Sequence, residues 1–336
     1  MDRKQLKRIK KNIFRLLPAS MRSKMIRKNM PPVRSKLDNI VFRCADNFDD
    51  YIKAFRLVHD VYVQAGYIQQ QPSALRITPF HGNPLSRVFL GVKQEQGSAC
   101  ETIVYTISMF PDTGEQGLGL PMDSAFKQEM DCLRSQNRML VEIGALASAP
   151  CHRQNNMNIP MLGNRIVQKY AFDYLKADDL VITVHPKYRW VYEDILLFEE
   201  IGYVDKYDYV SNNPAVAMRL NLNTAEKRYK KVYSNMPKEK NLHRFFFEKE
   251  SPSIIMPKTT SISNKILVSI ILNHAFSCQP PKNIHWNSEA KKIKNFKYQL
   301  KTGISSDRIG SVKDLTVIWQ KQENNLDNIP AQALQA

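Results

Sequence analysis

A single acidic residue inside an apolar stretch is the strongest candidate for chemistry in this chain. Glu142 lies between Val141 and Ile143, and the run 139–147 is predicted to be a buried strand. A carboxylate in such surroundings loses its hydration and needs either a partner or a function. One interpretation is that it accepts a proton during a reaction. The alternative is a structural pair with an arginine at a strand end.

A polar loop and two further candidate side chains follow this strand. The loop at 152–158 contains Arg153 but no glycine, and the next glycine is Gly163. Loops that hold a pyrophosphate normally bring backbone N–H groups close to it through glycines, so this loop is a poor cradle for one. His185 ends the next predicted strand, and Tyr192 follows in a short predicted helix. His185 and Tyr192 are each either packing residues or participants in the chemistry that Glu142 would support.

Alternating strands and helices must position these candidates. One predicted helix is amphipathic, and its apolar face holds Tyr51, Phe55, Val58 and Tyr62. The predicted strands cover 40–45, 88–92, 102–109, 139–147, 180–184, 203–209 and 215–222, and further helices cover 124–134, 160–175 and 190–200. No internal repeat is present. The pattern predicts one α/β domain whose second half runs strand, helix, strand, short helix and hairpin.

The formal net charge of +17 is concentrated outside this domain. Residues 1–37 contain 13 basic residues and 1 acidic residue, and residues 226–336 contain 19 basic and 9 acidic residues. The middle part, 38–225, contains 17 basic and 22 acidic residues. We therefore predict a basic N-terminal arm at 1–37, a mildly acidic domain at 38–225, and a basic C-terminal extension at 226–336. The extension is expected to be partly helical, around 262–276, and partly disordered.

Cysteine usage and hydropathy exclude several classes of protein. The five cysteines show no CxxC spacing, so neither a disulfide framework nor a zinc site is expected. This usage predicts a reducing, cytoplasmic setting. The N-terminus lacks the apolar stretch of a signal peptide, and no window of about 18 apolar residues is present for a membrane span.

Several segments in the middle of the chain together resemble one enzyme family. They are 55–62, 66–68, 141–143, 177–186, 192–198 and 214–220. In order and spacing they are similar to the N-acyl amino acid synthases, which include the long-chain N-acyltyrosine synthases. That family is related to the acyl-homoserine-lactone synthases and shares the GNAT acyltransferase fold. The resemblance covers about 40–222 and implies an α/β fold with a mixed central sheet flanked by helices.

The resemblance implies a reaction in which an amine attacks a fatty acyl thioester. A protonated amine must first lose its proton, and Glu142 is the residue expected to accept it. Backbone N–H groups of the central strand would polarise the thioester carbonyl. Tyr192 stands where many GNAT enzymes keep a tyrosine that protonates the leaving thiolate, although its separation from Phe198 is one residue longer than usual. Arg56 would help to order an N-terminal cap over the substrate, or is otherwise a surface arginine.

The donor implied by the resemblance carries its acyl chain on phosphopantetheine. Acyl carrier protein presents a single phosphate and therefore fits a loop without glycines. The alternative donor is acyl-coenzyme A, if this divergent loop still holds the pyrophosphate. Arg153, Arg165 and Lys169 are expected along one side of the following helix, where they would attract the acidic carrier protein; the alternative is an ordinary solvated face. His185 lies where pantetheine would pass between splayed strands. No permanently bound cofactor and no metal are implied.

The expected function is therefore that of a long-chain N-acyltransferase with an amino acid or similar amine as acceptor. One alternative is a homoserine-lactone-like signal synthase, for which no S-adenosylmethionine pocket is identifiable. The other is a non-catalytic GNAT-like module that binds carrier protein or membrane. The basic arms suit peripheral contact with an anionic membrane, or are plain extensions. Nucleic-acid binding is not expected, because aromatic residues between the charges are sparse.

Overall fold

The computed structural model of the protein describes residues 17–83, 85–94, 101–113, 119–153, 157–248 and 250–257. The first part of the predicted basic arm, the helix predicted at 262–276 and the predicted disordered tail lie outside the described residues. Within them, the chain has the mixed α/β architecture that the sequence predicts.

A single seven-stranded sheet forms the centre of the described chain. The strands are β1 Ile40–Cys44, β2 Arg87–Gln94, β3 Glu101–Pro111, β4 Leu140–Ser148, β5 Asp179–Val184, β6 Glu199–Tyr207 and β7 Asn213–Asn221. They lie in the order β1-β2-β3-β4-β5-β7-β6. Neighbouring strands are antiparallel except β4 and β5, which are parallel. The predicted mixed sheet is confirmed, and its parallel pair lies in the middle.

Helices α1 Ala19–Asn29, α2 Phe48–Gln64, α3 Asp123–Arg134, α4 Asn158–Asp173 and α5 Leu222–Tyr233 accompany the sheet. α2 begins where the Asn47 side chain accepts the Asp50 N–H at 2.9 Å, a cap that satisfies an otherwise unpaired donor. Its buried face is the predicted one and includes Tyr51, Phe55 and Val58. Among the described helices, none combines the length and hydropathy that crossing a membrane requires.

Side chains alternate along the strands, so the sheet has two faces. Both faces are apolar, and helices cover both. The Phe89 ring of β2 packs on the α4 face, with its centre 5.4 Å from that of Tyr170. Val88 and Leu90 point to the opposite face, which α2 covers. α3 lies on that second face as well, where Phe126 packs against β5, β6 and β7. Residues on β4 and β5 are therefore enclosed between two layers.

One predicted element differs from the structure. The helix expected over 190–200 is only a π-helical turn, Val191–Ile195, and β6 already begins at Glu199. The turn is followed by Leu197, whose φ of 58° is left-handed. The three consecutive residues 196–198 are all buried. A surface helix would turn one of them towards solvent, whereas this irregular path buries all three.

The packed part of the chain extends beyond 38–225 on both sides. Ser23 Oγ of α1 donates to Asp194 Oδ1 in the π-helical turn at 2.5 Å. The hydroxyl groups of Tyr229 and Tyr233 on α5 each donate at 2.6 Å to a backbone carbonyl at the end of the same turn. The flanking helices thus fix the segment that leads from β5 to β6.

A C-terminal segment completes one edge of the sheet. Phe42 of β1 donates its N–H to the Ser253 carbonyl at 2.6 Å and accepts the Ile255 N–H at 2.8 Å. Just before β1, the Leu37 N–H also donates to Ser253 Oγ at 2.9 Å. Residues 253–255 therefore belong to the folded unit although they are remote from β1 in the sequence.

Candidate active site

The parallel strands β4 and β5 separate halfway along their length. They are paired from Leu140 and Asp179 to Ile143 and Ile182. Beyond this point β4 pairs with β3, and β5 pairs with β7. Ala145 marks the separation: its φ of 47° is left-handed and the register with β3 shifts beside it, which is a β-bulge. The splayed strands expected from the sequence are present.

Small and apolar side chains surround the gap between the two strands. Beyond the point of separation β4 carries Gly144, Ala145 and Ala147. Val58 of α2 packs on the two alanines, and partly buried residues of α2 surround this cluster, namely Leu57, Val61 and Tyr62. The gap between the strands is therefore lined by small and apolar side chains with few polar groups.

Glu142 lies on β4 just before the strands part, on the face covered by α2 and α3. Its side chain is 2% exposed, and Oε2 accepts the Met122 N–H at 2.8 Å. Loss of hydration raises the pKa of this carboxyl group well above its usual range; the Met122 N–H opposes the shift, and Asp123 and Asp112 add to it. A carboxylate with a raised pKa is a stronger proton acceptor.

Three arginines, two before β4 and one on β7, are engaged with other acids. Arg138 and Arg219 both bind Asp179, which is fully buried at the start of β5. Arg134 is shared among three aspartates around α3. Among the described ion pairs, none includes Glu142. A buried acid without a cation is the less common outcome, and it favours a function over a structural role.

A short loop before α3 holds the Met122 N–H in place. Asp123 Oδ2 accepts the Leu120 N–H and an Arg134 N–H, each at 2.7 Å. Gly119 adopts a left-handed φ of 65°, and a Cβ atom at this position would lie 2.3 Å from Asp123 Oδ2. The hydrogen bond to Glu142 therefore depends on a loop that is fixed by one glycine and one ion pair.

A stacked pair of tyrosines lies beside Glu142 and connects it to an arginine. The ring centres of Tyr207 and Tyr209 are 5.7 Å apart, at an interplanar angle of 21°. Arg76 Cζ lies 4.8 Å from the centre of the Tyr209 ring. Burial raises the pKa of both phenols, Glu142 raises it further, and Arg76 lowers it. The Glu142 and Arg76 charges thus act on this tyrosine pair in opposite directions.

His81 is a buried member of this site that sequence reasoning missed. The Thr78 N–H donates to Nδ1 at 3.1 Å, so the ring proton lies on Nε2, which is 3.2 Å from Ser108 Oγ. Burial lowers the pKa of His81 to about 3, so the ring is neutral at physiological pH. Ser108 is the β3 partner of Gly144, which brings this hydrogen-bond chain to the bulge. Nothing in the local sequence around His81 indicates these partners.

Tyr192 lies in the π-helical turn between the two layers. Its ring is edge-on to that of Phe198, with 5.6 Å between the centres, and burial raises the pKa of its phenol to about 12. Burial is the main cause of the raised pKa of Tyr62 on α2 and of Tyr105, which faces α4, and Tyr192 raises both pKa values further. A π-helical turn takes up one residue more than an α-helical one, which accounts for the long spacing between Tyr192 and Phe198.

The residues expected to bind the donor differ in their exposure and partners. His185 follows the last residue of β5, and its Nδ1 accepts the Lys187 N–H at 3.1 Å; burial and the Lys187 charge lower its pKa. Lys169 is exposed on α4 and pairs with Asp173 at 2.7 Å. The Arg153 side chain lies outside the described residues.

Arg165 does not lie on an exposed face of α4, contrary to the prediction. It is 5% exposed, and its guanidinium carbon lies 5.1 Å from the centre of the Phe245 ring. Burial lowers its pKa to about 10. The residues that cover it follow α5, beyond the expected domain boundary, so its burial was not predictable from the helix alone. Arg56, by contrast, is exposed on α2.

These features together define a class of protein. The α/β fold with its mixed sheet is the one that the sequence predicts for an acyltransferase. The chain belongs to the N-acyl amino acid synthase FeeM family, whose model matches residues 53–221, half of its length. The enzyme class and the family predicted from the sequence are confirmed.

Several solved structures are similar to this chain. FeeM, an N-acyl amino acid synthase from uncultured soil microbes, is 26% identical; the match covers 56% of this chain and 94% of that protein, with a TM-score of 0.48. The acyl-homoserine-lactone synthase LasI is 14% identical; the match covers 58% of this chain and 95% of that protein, with a TM-score of 0.41. The spermidine/spermine N-acetyltransferase SpeG from Vibrio cholerae is 15% identical; the match covers 56% of this chain and 96% of that protein, with a TM-score of 0.36. No curated protein matches the chain.

Proposed function

We propose that this protein transfers a long-chain fatty acyl group from acyl carrier protein to the amine of an amino acid. The observation that carries the proposal is the position of Glu142: it is buried, it lacks a cationic partner in the described ion pairs, and it precedes the point where β4 and β5 separate. A proton acceptor at this point would lie beside a thioester bound between the two strands.

The reaction follows from the order of the groups around the cleft. The acceptor ammonium gives one proton to the Glu142 carboxylate, and the free amine attacks the thioester carbonyl. Backbone N–H groups of β4 beyond the bulge stabilise the negative oxygen of the tetrahedral intermediate. The C–S bond then breaks, the leaving thiolate takes a proton from the Tyr192 phenol, and the resulting phenolate takes the second proton from the former amine, so that a neutral amide and thiol are formed and Tyr192 is restored. Arg56, exposed on α2, would help to order the chain over the bound substrates.

The donor is proposed to be acyl carrier protein because of the loop that follows β4. The segment after Arg153 and before Gly163 contains no glycine, so its backbone is poorly suited to a pyrophosphate. A single phosphate on a protein-bound pantetheine arm needs fewer contacts. Lys169 and Lys187, both exposed, would attract the acidic carrier, and His185 would border the pantetheine. Coenzyme A remains the competing donor.

The test is a product assay with both kinds of donor. The purified protein is incubated with acyl carrier protein thioesters or acyl-coenzyme A and a mixture of amino acids, and N-acyl products are identified by mass spectrometry. We expect product from the carrier-protein donor. Glu142→Gln should lower kcat/KM by about 10²- to 10⁴-fold, the usual contribution of a general base.

The matched control replaces an exposed glutamate, Glu239→Gln, and should leave the rate unchanged. The pH profile separates a base from a structural acid: the wild-type rate should rise with pH as Glu142 ionises, and Glu142→Gln should lose that limb. Absence of product with every donor overturns the proposed function. Full activity of Glu142→Gln overturns the role of the carboxylate as base.

A further inference from the structure

The outer face of α1 presents apolar and basic side chains together. Met21 and Met25 lie about one helical turn apart and are 50% and 43% exposed. Lys24 and Lys28 are exposed on the same side of the helix. α1 contains four basic residues and no acidic residue. A large apolar side chain on a surface helix normally turns towards the protein core, so this face is suited to a partner that is both anionic and apolar.

The side of α1 that faces the protein makes polar contacts instead. Ser23 Oγ donates to Asp194 Oδ1 at 2.5 Å, and Arg27 Nη1 donates to the Asp194 carbonyl at 2.8 Å. No residue of α1 is fully buried, and Ile26 packs against the core only in part. Hydrogen bonds to the turn Val191–Ile195 therefore hold the helix, and its two outer methionines are left facing away from the described chain.

α5 continues the basic surface on the same side of the sheet, because it contacts the same turn and the same apolar cluster as α1. The Tyr233 hydroxyl donates to the Ile195 carbonyl at 2.6 Å. Just after α5, Lys240 Nζ donates to the Lys28 carbonyl of α1 at 2.7 Å. The exposed lysines of α5 are Lys227, Lys230 and Lys231. The described ion pairs include none of the exposed lysines of α1 or α5, so their charges are available to a partner.

An exposed tryptophan borders the turn that both helices contact. Trp190 is 47% exposed and comes directly before Val191. Tryptophan is enriched where a protein meets the boundary of a bilayer, because its ring is apolar and its N–H group is polar. A nucleic acid would match the lysines but not the methionines. A bilayer matches both, since anionic headgroups attract lysine and the adjoining acyl chains take up methionine.

We propose that the outer faces of α1 and α5 bind an anionic membrane, with Met21 and Met25 inserted between the lipid headgroups. Residues 1–16, which precede this surface, contain seven basic residues and one acidic residue and add positive charge next to it. Glu142 lies on the opposite face of the sheet, which α2 and α3 cover. The proposal is therefore independent of the proposed acyl transfer.

The test measures binding of the full-length protein to lipid vesicles by co-sedimentation. One set of vesicles contains phosphatidylcholine alone, and the other also contains phosphatidylglycerol, so that the two sets differ in charge. We expect binding to the anionic vesicles, weaker binding as the salt concentration rises, and little binding to the neutral vesicles. The same proteins are titrated with a short DNA duplex and with acyl carrier protein.

Two double variants separate the apolar from the electrostatic contribution. Met21→Ser with Met25→Ser should weaken vesicle binding about 10- to 30-fold, because both side chains lose their contact with lipid. Lys24→Gln with Lys28→Gln should weaken it about 25-fold, since each lysine near an anionic surface contributes about 5-fold. Neither variant should change the melting temperature, because all four side chains are exposed. Met21→Leu with Met25→Leu keeps the apolar area and should bind as the wild type does.

Matched controls lie on the face of the sheet that α2 and α3 cover. Lys53→Gln with Lys127→Gln removes the same amount of charge from exposed positions. Phe48→Ser removes an apolar side chain that is 53% exposed. Both control proteins should bind the anionic vesicles nearly as well as the wild type.

Four other results would each overturn the proposal. Absence of binding to anionic vesicles does so directly. An equal loss of binding in the control variants is an effect of net charge, and binding that neither α1 variant weakens comes from another part of the chain. A methionine-to-serine variant that binds normally excludes insertion. Binding of the DNA duplex or of the carrier protein that depends on the methionines as strongly as vesicle binding does would assign the surface to that partner.

Discussion

Burial of Glu142 links the stability of the protein to pH. The folded state holds the carboxyl proton more tightly than the unfolded state, whose pKa is near 4.5. Above that value the unfolded chain ionises freely while the buried group does not, so the free energy of unfolding falls as pH rises towards the raised pKa of the folded state. Glu142 therefore lowers the stability of the folded protein at neutral pH, which is a cost that the proposed role as a base would explain.

We expect Glu142→Gln to raise the melting temperature at pH 7 and to leave it nearly unchanged at pH 4, where the carboxyl group is protonated in both states. Glutamine keeps an oxygen that can accept the Met122 N–H. Thermal unfolding at the two pH values measures the difference, with Glu239→Gln as the exposed control. A variant that melts below the wild type at pH 7 would contradict the raised pKa.

The sequence indicated the surroundings of some individual polar residues but not of others. Glu142 could be predicted because an acid inside an apolar strand is visible without a fold. Arg76 and His81 could not, since their neighbours come from β3 and from the turn between β6 and β7. Arg165 was misjudged for the same reason: its cover, Phe245, lies 80 residues further along the chain.

At the scale of elements, Gly163 decides how closely α4 approaches the sheet. A Cβ atom at this position would lie 2.2 Å from Tyr105 Cε1 and 2.6 Å from its hydroxyl oxygen. The Tyr105 ring is fully buried, and its hydroxyl has no hydrogen-bond partner among the described residues. The first glycine after the polar loop thus makes room for a tyrosine.

This contact reverses the usual effect of replacing a glycine in a helix. Gly→Ala inside a helix normally stabilises by about 0.5–1 kcal/mol. Gly163→Ala should instead destabilise by about 1–3 kcal/mol, as overpacking does. Urea unfolding measures the change, and the same substitution made together with Tyr105→Ala should regain its favourable sign. A stabilising effect in the presence of Tyr105 would contradict the close approach.

The elements themselves were predictable where the hydrophobic period was clear. The strands and the amphipathic face of α2 follow from that pattern. The segment 190–200 does not, because three buried residues in a row fit neither a surface helix nor an alternating strand. The bulge at Ala145 was also invisible as a local signal, since alanine does not favour the left-handed conformation it adopts here.

At the scale of the whole molecule, residues after α5 contribute to the core although their charge marks them as an appendage. Leu242 and Phe245 are buried at 0% and 4% exposure, and residues 253–255 pair with β1. Net charge over a long segment averages such positions with the basic residues around them. Composition alone therefore does not reveal that Leu242 and Phe245 pack against the core.

A matched pair of truncations measures that contribution. A chain that ends at 257 should melt well above one that ends at 240, because the shorter chain loses two buried apolar side chains worth about 3–6 kcal/mol together. Arg165 would also become hydrated in the shorter chain. Differential scanning calorimetry of the two proteins checks the prediction, and equal melting temperatures would contradict the packing described for residues 241–257.

The backbone hydrogen bonds that join Ser253 and Ile255 to Phe42 cover β1, which is an edge strand of the sheet, and this has a consequence for self-association. An outer strand with free peptide groups is a template on which a neighbouring molecule can add its own strand. Here the protein occupies that template with its own chain. Proteolysis between 248 and 253 would release the occupant, and nicked molecules should then scatter light as they assemble into polymers, while intact ones stay dispersed.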